Sequence, residues 1–179
     1  MPNKLANQIR KKIRVVSHWP KHGIKFYDMN PLISSDLFDE CVGVIAQKVK
    51  YLMRGPVKLC AIESRGFIWG SAVAGYLGLS VIPIRKLGKI PPVTVHGYTH
   101  IKTEYSQDDL VLPTGCVDKG DSVIVIDDVM ASGQTALGAI NLLTWAGARV
   151  IASLSVLRLK KLNGKKVIHP VISEALLDI

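Results

Sequence analysis

Cysteine is scarce in this chain. Cys41, Cys60 and Cys116 are the only three in 179 residues, they lie far apart, and none forms a Cys-x-x-Cys pair. Such a set argues against a disulfide framework or a zinc knuckle and fits a reducing, cytoplasmic setting. Acidic residues are also in deficit, 14 against 23 Lys and Arg, which leaves a formal charge of +9. That charge admits nucleic acid, an anionic membrane surface or small phosphate-bearing molecules, and does not choose among them. The nearest approach to a membrane span is the uncharged run from Phe67 to Ile84, but Gly70, Gly75, Gly78 and Pro83 interrupt it. A buried helix followed by a buried strand explains that run better. Met1 to Arg14 holds five basic residues and no continuous apolar core, so it reads as a short amphipathic helix and not as a secretory signal peptide. Low-complexity tracts, repeats and linkers are missing too, and the length suits a single domain over residues 1–179.

The remaining pattern is that of an α/β protein. Ser35 to Met53 reads as a helix, with Asp36 placed to cap it and Leu37, Cys41, Val44, Ile45, Val49 and Leu52 on one face. Val57 to Ile62 is a short apolar strand, Gly66 to Leu77 a helix closed by Gly78, and Ser80 to Ile84 a second strand. Val123 to Ile126 is a continuous Val/Ile run, the signature of a strand buried on both faces of a parallel sheet. A helix from about Thr135 to Trp145 and a strand from Arg149 to Leu157 complete a second βαβ unit, so the expected fold is a twisted parallel sheet flanked by helices. Leu87 to Val111 fits neither period. It is polar and contains proline, which marks residues 87–111 as a flexible flap whose 98–105 part reads as an extended ribbon. Met29, Met53, Trp19, Trp69 and Trp145 are expected to be packing residues. The five histidines, His18, His22, His96, His100 and His169, show no metal-ligand spacing and receive no role.

Chemistry concentrates in residues 123–135, Val-Ile-Val-Ile-Asp-Asp-Val-Met-Ala-Ser-Gly-Gln-Thr. Two adjacent acids follow a buried strand at its carboxyl end, where open α/β sheets place ligands. Backbone amides of Ala131, Ser132, Gly133, Gln134 and Thr135, with the Ser132 and Thr135 hydroxyls, form a cradle for a phosphate at a helix N-terminus. Asp127 and Asp128 can accept hydrogen bonds from sugar hydroxyls. A plain helix cap would need one acid and not two. Glu63-Ser64-Arg65-Gly66 lies at the other strand-to-helix turn, where backbone amides and Arg65 can face an anion. Arg85, Lys86 and Lys89 flank Gly88 and read either as a cationic ligand set or as a solubilising loop. Phe26 is either a ring for stacking a base or a core residue.

The strand, acid pair and small-residue loop resemble the type I phosphoribosyltransferases. Four further segments are similar to the adenine phosphoribosyltransferases among them: His-Trp-Pro-Lys-His-Gly-Ile-Lys-Phe-Tyr-Asp-Met-Asn-Pro-Leu-Ile (18–33), Ala-Ile-Glu-Ser-Arg-Gly-Phe (61–67), Arg-Lys-Leu-Gly-Lys-Ile-Pro (85–91) and Thr-Glu-Tyr (103–105). The resemblance runs from about residue 18 to 165. It implies a homodimeric enzyme that converts adenine and 5-phosphoribosyl 1-pyrophosphate (PRPP) to AMP and pyrophosphate. It implies Mg²⁺ held mainly through the substrate's own oxygens, with no metal site of the protein's own. Residues 1–34 become an N-terminal helix and a hood over the base site.

Site roles follow from the same likeness. Asp127, Asp128 and residues 131–135 would hold the ribose and 5-phosphate. Glu63, Ser64, Arg65, Arg85, Lys86 and Lys89 would hold pyrophosphate, with a non-proline cis peptide at Glu63–Ser64. Ile24, Lys25, Phe26, Tyr27, Tyr105 and Val129 would surround the base, and Glu104 would manage the purine's proton as the glycosidic bond forms. The chain departs from the family at Tyr27, where Arg is common, at Ser106 and Gln134, where Gly is usual, and at Arg158, where Glu is usual. The Tyr27 departure leaves hypoxanthine, guanine or xanthine as alternative bases. A PRPP-sensing regulator that binds DNA is the reading from another class, and no helix-turn-helix element of suitable length precedes residue 18.

Overall fold

A computed structural model describes residues 3–102 and 107–179. In chain order the elements are α1 (Asn3–Lys12), β1 (Arg14–Ser17), β2 (Lys25–Asp28), α2 (Asn30–Ile33), α3 (Phe38–Leu52), β3 (Lys58–Ile62), α4 (Arg65–Leu77), β4 (Val81–Lys86), β5 (Val95–Lys102), β6 (Gln107–Pro113), β7 (Ser122–Met130), α5 (Gln134–Trp145), β8 (Arg149–Arg158), α6 (Gly164–Val167) and β9 (Ile172–Asp178). One seven-stranded sheet runs in the order β5-β6-β4-β3-β7-β8-β9, and β1 and β2 form a separate antiparallel pair. The five strands from β4 to β9 are mutually parallel, and β5 and β6 are added antiparallel at the β4 edge.

The Val/Ile run of β7 explains why this strand is central. Val123 and Val125 face a core shared with α5, and Ile124 and Ile126 face the opposite core with α3 and α4; all four are fully buried. A strand apolar on both faces is stable only with helices covering both, which the two βαβ crossovers supply. On the α4 side the approach is close enough to demand glycine. A Cβ at Gly70 would lie 2.6 Å from the Ala61 Cβ on β3. The left-handed Gly78, at φ 66°, closes α4 as its position predicts.

Three expectations need correction. Asp36 does not cap α3: the helix begins at Phe38, and it is the Ser35 Oγ that accepts the Leu37 amide, at 3.3 Å. The 87–111 segment is not irregular. It contains a β-hairpin whose second strand buries Leu110, Val111 and Leu112 and pairs with β4, so the parallel sheet becomes a mixed one. Only backbone pairing at the β4 edge reveals this, since three consecutive apolar residues lack a strand's alternation. Trp19 and Trp145 are not core residues, being 52% and 66% exposed. The Trp145 ring lies flat on the hairpin instead, where a Cβ at Gly97 would meet it at 2.5 Å, with His96 tilted beside it at 5.2 Å. Trp69 is packed as expected, fully buried against Phe38.

Two glycines of α4 should respond oppositely to substitution. Gly70→Val overpacks the α4–β3 contact and should destabilise the fold by about 1–3 kcal/mol. Gly75→Ala, with nothing within 4 Å of its added Cβ, should stabilise it by up to about 1 kcal/mol through helix propensity. Urea unfolding midpoints of the two variants measure both.

Candidate active site

β7 extends beyond the Val/Ile run to Met130, so Asp127 is paired in register with Ser155 of β8 and is not free of the sheet. Both acids face a cavity of about 370 Å³ at the carboxyl ends of the central strands. Ala131, Ser132, Gly133 and Thr135 curve around one end of it. Gly133, at φ 83°, precedes α5, and its backbone is pressed against Gly164: a Cβ on Gly133 would come within 2.5 Å of the Gly164 carbonyl oxygen, and one on Gly164 within 2.4 Å of the Ala131 carbonyl oxygen. This mutual contact fixes the curve of the loop, and the amides at the start of a twelve-residue helix give it a positive end suited to phosphate.

The β3–α4 turn forms the opposite wall. Its Glu63–Ser64 peptide is cis, as the family pattern leads one to expect. Gly66 allows this turn to reach the acids, since a Cβ there would lie 3.0 Å from the Asp127 Oδ1. Arg65 then spans the cavity. Its Nε pairs with the Asp128 Oδ2 at 2.8 Å, a terminal nitrogen donates to the Tyr27 carbonyl at 3.1 Å, and the guanidinium lies 4.9 Å from the Phe26 ring centroid. One side chain thus touches the ribose-side acid and the base-side strand together. Glu63 turns the other way and accepts the Lys86 amide at 2.8 Å and the Arg85 Nε at 3.0 Å. Burial works to raise the Glu63 carboxyl, but these two donors outweigh it and leave it below its ordinary range.

The base side is built by the β1–β2 ribbon. Trp19 meets the Phe26 ring edge-on with centroids 4.5 Å apart, and both line the cavity with Tyr27. The ribbon is held down by Asp28, buried, which pairs with Arg14 and accepts the Asn30 amide at 2.9 Å. The Asn30 amide first, and Arg14 next, keep the Asp28 carboxyl below the usual carboxylate range. The adjacent acids behave oppositely. Burial first, and then the Asp128 charge, push Asp127 well up, while burial raises Asp128 against the pull of Arg65.

Of the residues expected from sequence, Phe26, Tyr27, Glu63, Ser64, Arg65, Lys86, Asp127, Asp128, Val129, Ala131, Ser132, Gly133 and Thr135 line this one cavity. Ile24, Lys25, Arg85, Lys89 and Gln134 do not. Arg85 is occupied with Glu63 and the Lys89 carbonyl and lies over the Phe67 ring, and Gln134 opens α5. Glu104 and Tyr105 lie outside the described residues, as does Ser106. Sequence reasoning missed Trp19, which lay in plain sight before Pro20 in the Phe26 loop, and Ser155, which only the β7–β8 register brings beside Asp127. The Ser155 hydroxyl is 2% exposed and unpartnered among the described residues, which leaves it to be satisfied by what fills the cavity. Arg158, another family departure, is structural: it makes a two-pronged pair with Asp178, at 2.7 and 2.9 Å.

The phosphoribosyl transferase domain family matches residues 33–174. Adenine phosphoribosyltransferase of Solidesulfovibrio magneticus is 36% identical over 172 residues, covering 96% of this chain and 98% of that protein, and the Caenorhabditis elegans protein of the same name is 35% identical, covering 91% and 88%. This chain belongs to the adenine phosphoribosyltransferase family. The crystal structure of the family's Thermoanaerobacter pseudethanolicus member superposes with a TM-score of 0.89 at 28% identity, covering 97% of this chain and 99% of that one. The family match begins after the β1–β2 ribbon, but the full-length adenine phosphoribosyltransferases align across nearly the whole chain. Among the described residues, no group of three or more His, Cys, Asp or Glu side chains is arranged to hold a metal ion, and no helix is long and apolar enough to cross a membrane.

The contrasting carboxylates set opposite pH trends. Asp28 has a lowered folded pKa, so its contribution is present above the unfolded value near 3.8 and is lost as pH falls through the folded one. Asp28→Asn should therefore destabilise the protein at pH 7 and approach the parent in acid. Asp127 has a raised folded pKa, so its ionisation destabilises the fold increasingly as pH rises above about 3.8. Asp127→Asn keeps the Oδ1 that accepts the Asp128 amide and should gain stability over the parent, more at pH 8 than at pH 5. Denaturant titrations across pH 3–8 read both slopes.

Proposed function

We propose that the chain transfers the 5-phosphoribosyl group of PRPP to adenine, releasing AMP and pyrophosphate. A single observation carries this reading: one cavity presents a phosphate cradle and two carboxylates at one end and aromatic rings at the other, with Arg65 reaching both. The 131–135 loop receives the 5-phosphate through backbone amides and hydroxyls. Asp127 and Asp128 accept the ribose hydroxyls. The purine sits against Phe26 and Trp19, where stacking and the 24–27 backbone orient its N9 towards C1′. In the reaction the C1′–O bond to pyrophosphate breaks with its electron pair leaving on oxygen, the N–H proton of the purine's imidazole edge passes to Glu104, and the in-plane lone pair thereby available on N9 forms the new bond. Carbocation character at C1′ develops beside the two carboxylates, whose negative charge it favours and by which it is stabilised.

Arg65, from the β3–α4 wall, and Lys86, from the end of β4, face the leaving group. PRPP pyrophosphate would then compete with Asp128 for Arg65, which ties sugar and leaving-group binding together. Mg²⁺ suits this site: two adjacent carboxylates with raised pKa values favour a nearby cation, and two side chains fit an ion that keeps waters and substrate oxygens as its other ligands. When bound, the ion would supply neutralisation of the charge developing on pyrophosphate. A homodimer is part of the proposal, supported by large apolar side chains left exposed on α4, Ile68 at 42% and Tyr76 at 60%. A cytoplasmic location is supported by three cysteines with no disulfide among them.

The deciding assay supplies Mg²⁺ and PRPP with adenine, hypoxanthine, guanine or xanthine in turn and follows nucleotide and pyrophosphate together. AMP and equimolar pyrophosphate from adenine are expected, and product only from another base would overturn the specificity. Glu104→Gln should lower kcat by on the order of 10²–10⁴-fold while the KM for PRPP stays within a few-fold. An unchanged kcat removes Glu104 from proton transfer.

A further inference from the structure

A second concavity lies behind the phosphate loop. It opens between the end of β8 and α6, has a volume of about 650 Å³, and is lined by Arg158, Lys160, Lys165, Lys166 and His169 around the Gly164 backbone. None of the side chains lining it is a carboxylate. Two acids act on Arg158: Asp178, engaged by both its prongs and 3.7 Å from Lys160, and Glu174, which is paired with Lys48 at 2.7 Å. Lys165 and Lys166 are exposed and make no ion pair among the described residues. With Asp178 and the Lys48-paired Glu174 set against Arg158, Lys160, Lys165 and Lys166, the pocket keeps a positive surplus on a chain already at +9. The catalytic reading uses none of these residues.

The site has the chemistry of a polyphosphate receptor. Flexible ammonium groups suit phosphate as point charges, and Leu159 adds an apolar side chain to the lining. The volume falls within the usual range for small-molecule sites and exceeds what one phosphate fills. Its floor is also the back of the active site. Gly164, buried but lining this pocket, is the residue whose carbonyl and Cα press on Gly133 and whose own Cβ, if present, would strike the Ala131 carbonyl. We propose that this pocket binds the phosphate chain of a nucleotide, and that occupancy is felt through Gly164 by the loop that holds the 5-phosphate of PRPP. The coupling is reciprocal, so PRPP alters nucleotide affinity by the same factor.

Calorimetric titration of ATP into protein saturated with AMP, at fixed free Mg²⁺, tests the proposal with the catalytic cavity filled. One further saturable site is expected, weakened at least tenfold in the double variant Lys165→Glu/Lys166→Glu. The milder pair Lys165→Gln/Lys166→Gln should fall between, and either pair should leave turnover without ATP within twofold of the parent. Tripolyphosphate binding as tightly as ATP would assign the site to the phosphate chain alone; tighter binding of ATP would add the nucleoside. Absence of a saturable ATP site, or equal affinity in parent and charge-reversed protein, overturns the proposal. The preliminary AMP titration keeps the two questions apart: if AMP itself fails to bind, the catalytic reading falls, while ATP and its loss in the lysine variants still report on the second site.

Discussion

Two carboxylates on consecutive residues of a buried strand are the constraint around which this molecule is arranged. In a strand, neighbours point to opposite faces, so Asp127 and Asp128 meet different surroundings although one peptide separates them. Both line the cavity, but Asp128 is buried and receives Arg65, whereas Asp127 accepts the Asp128 amide at 2.8 Å. Their mutual repulsion in a poorly solvated setting is unfavourable to the apo protein and favourable to any ligand that brings hydroxyl donors or a cation. The glycine at 66 and the steep α4 approach exist, in physical terms, to let a guanidinium and a turn come near enough to hold that charge.

The same logic explains why the phosphate loop depends on a distant segment. A loop rich in small residues has no side chains with which to hold its own shape. Its curve is imposed by the backbone of Gly164, thirty-one positions after Gly133, in a contact that no side chain at either position would allow. The cradle is therefore a two-segment object, and the Gly164 backbone belongs to its support.

Much of the fold was legible because buried βαβ units announce themselves. The Val/Ile run, the Gly78 stop and the acid pair each stand in a few consecutive residues and survived contact with the structure almost unchanged. What escaped was whatever depends on pairing between remote segments. The β6 strand hid because Leu110 to Leu112 are all buried where alternation would signal a strand. Ser155 hid because only strand register makes it a neighbour of Asp127. Asp36 was misread because capping requires an orientation, and the adjacent Ser35 had it. Arg85, Lys86 and Lys89 share a charge that sequence reads alike, and only pairing separates them: Lys86 lines the cavity, while the Arg85 Nε donates to Glu63.

Arg65 grips position 27 by its carbonyl oxygen, an atom that every amino acid possesses. The tie between the two halves of the cavity is thus indifferent to which side chain stands there. Tyrosine in place of the commoner arginine leaves it intact, and drift at this position is compatible with an unaltered scaffold. Whatever side chain stands at 27, the oxygen that Arg65 holds is the same.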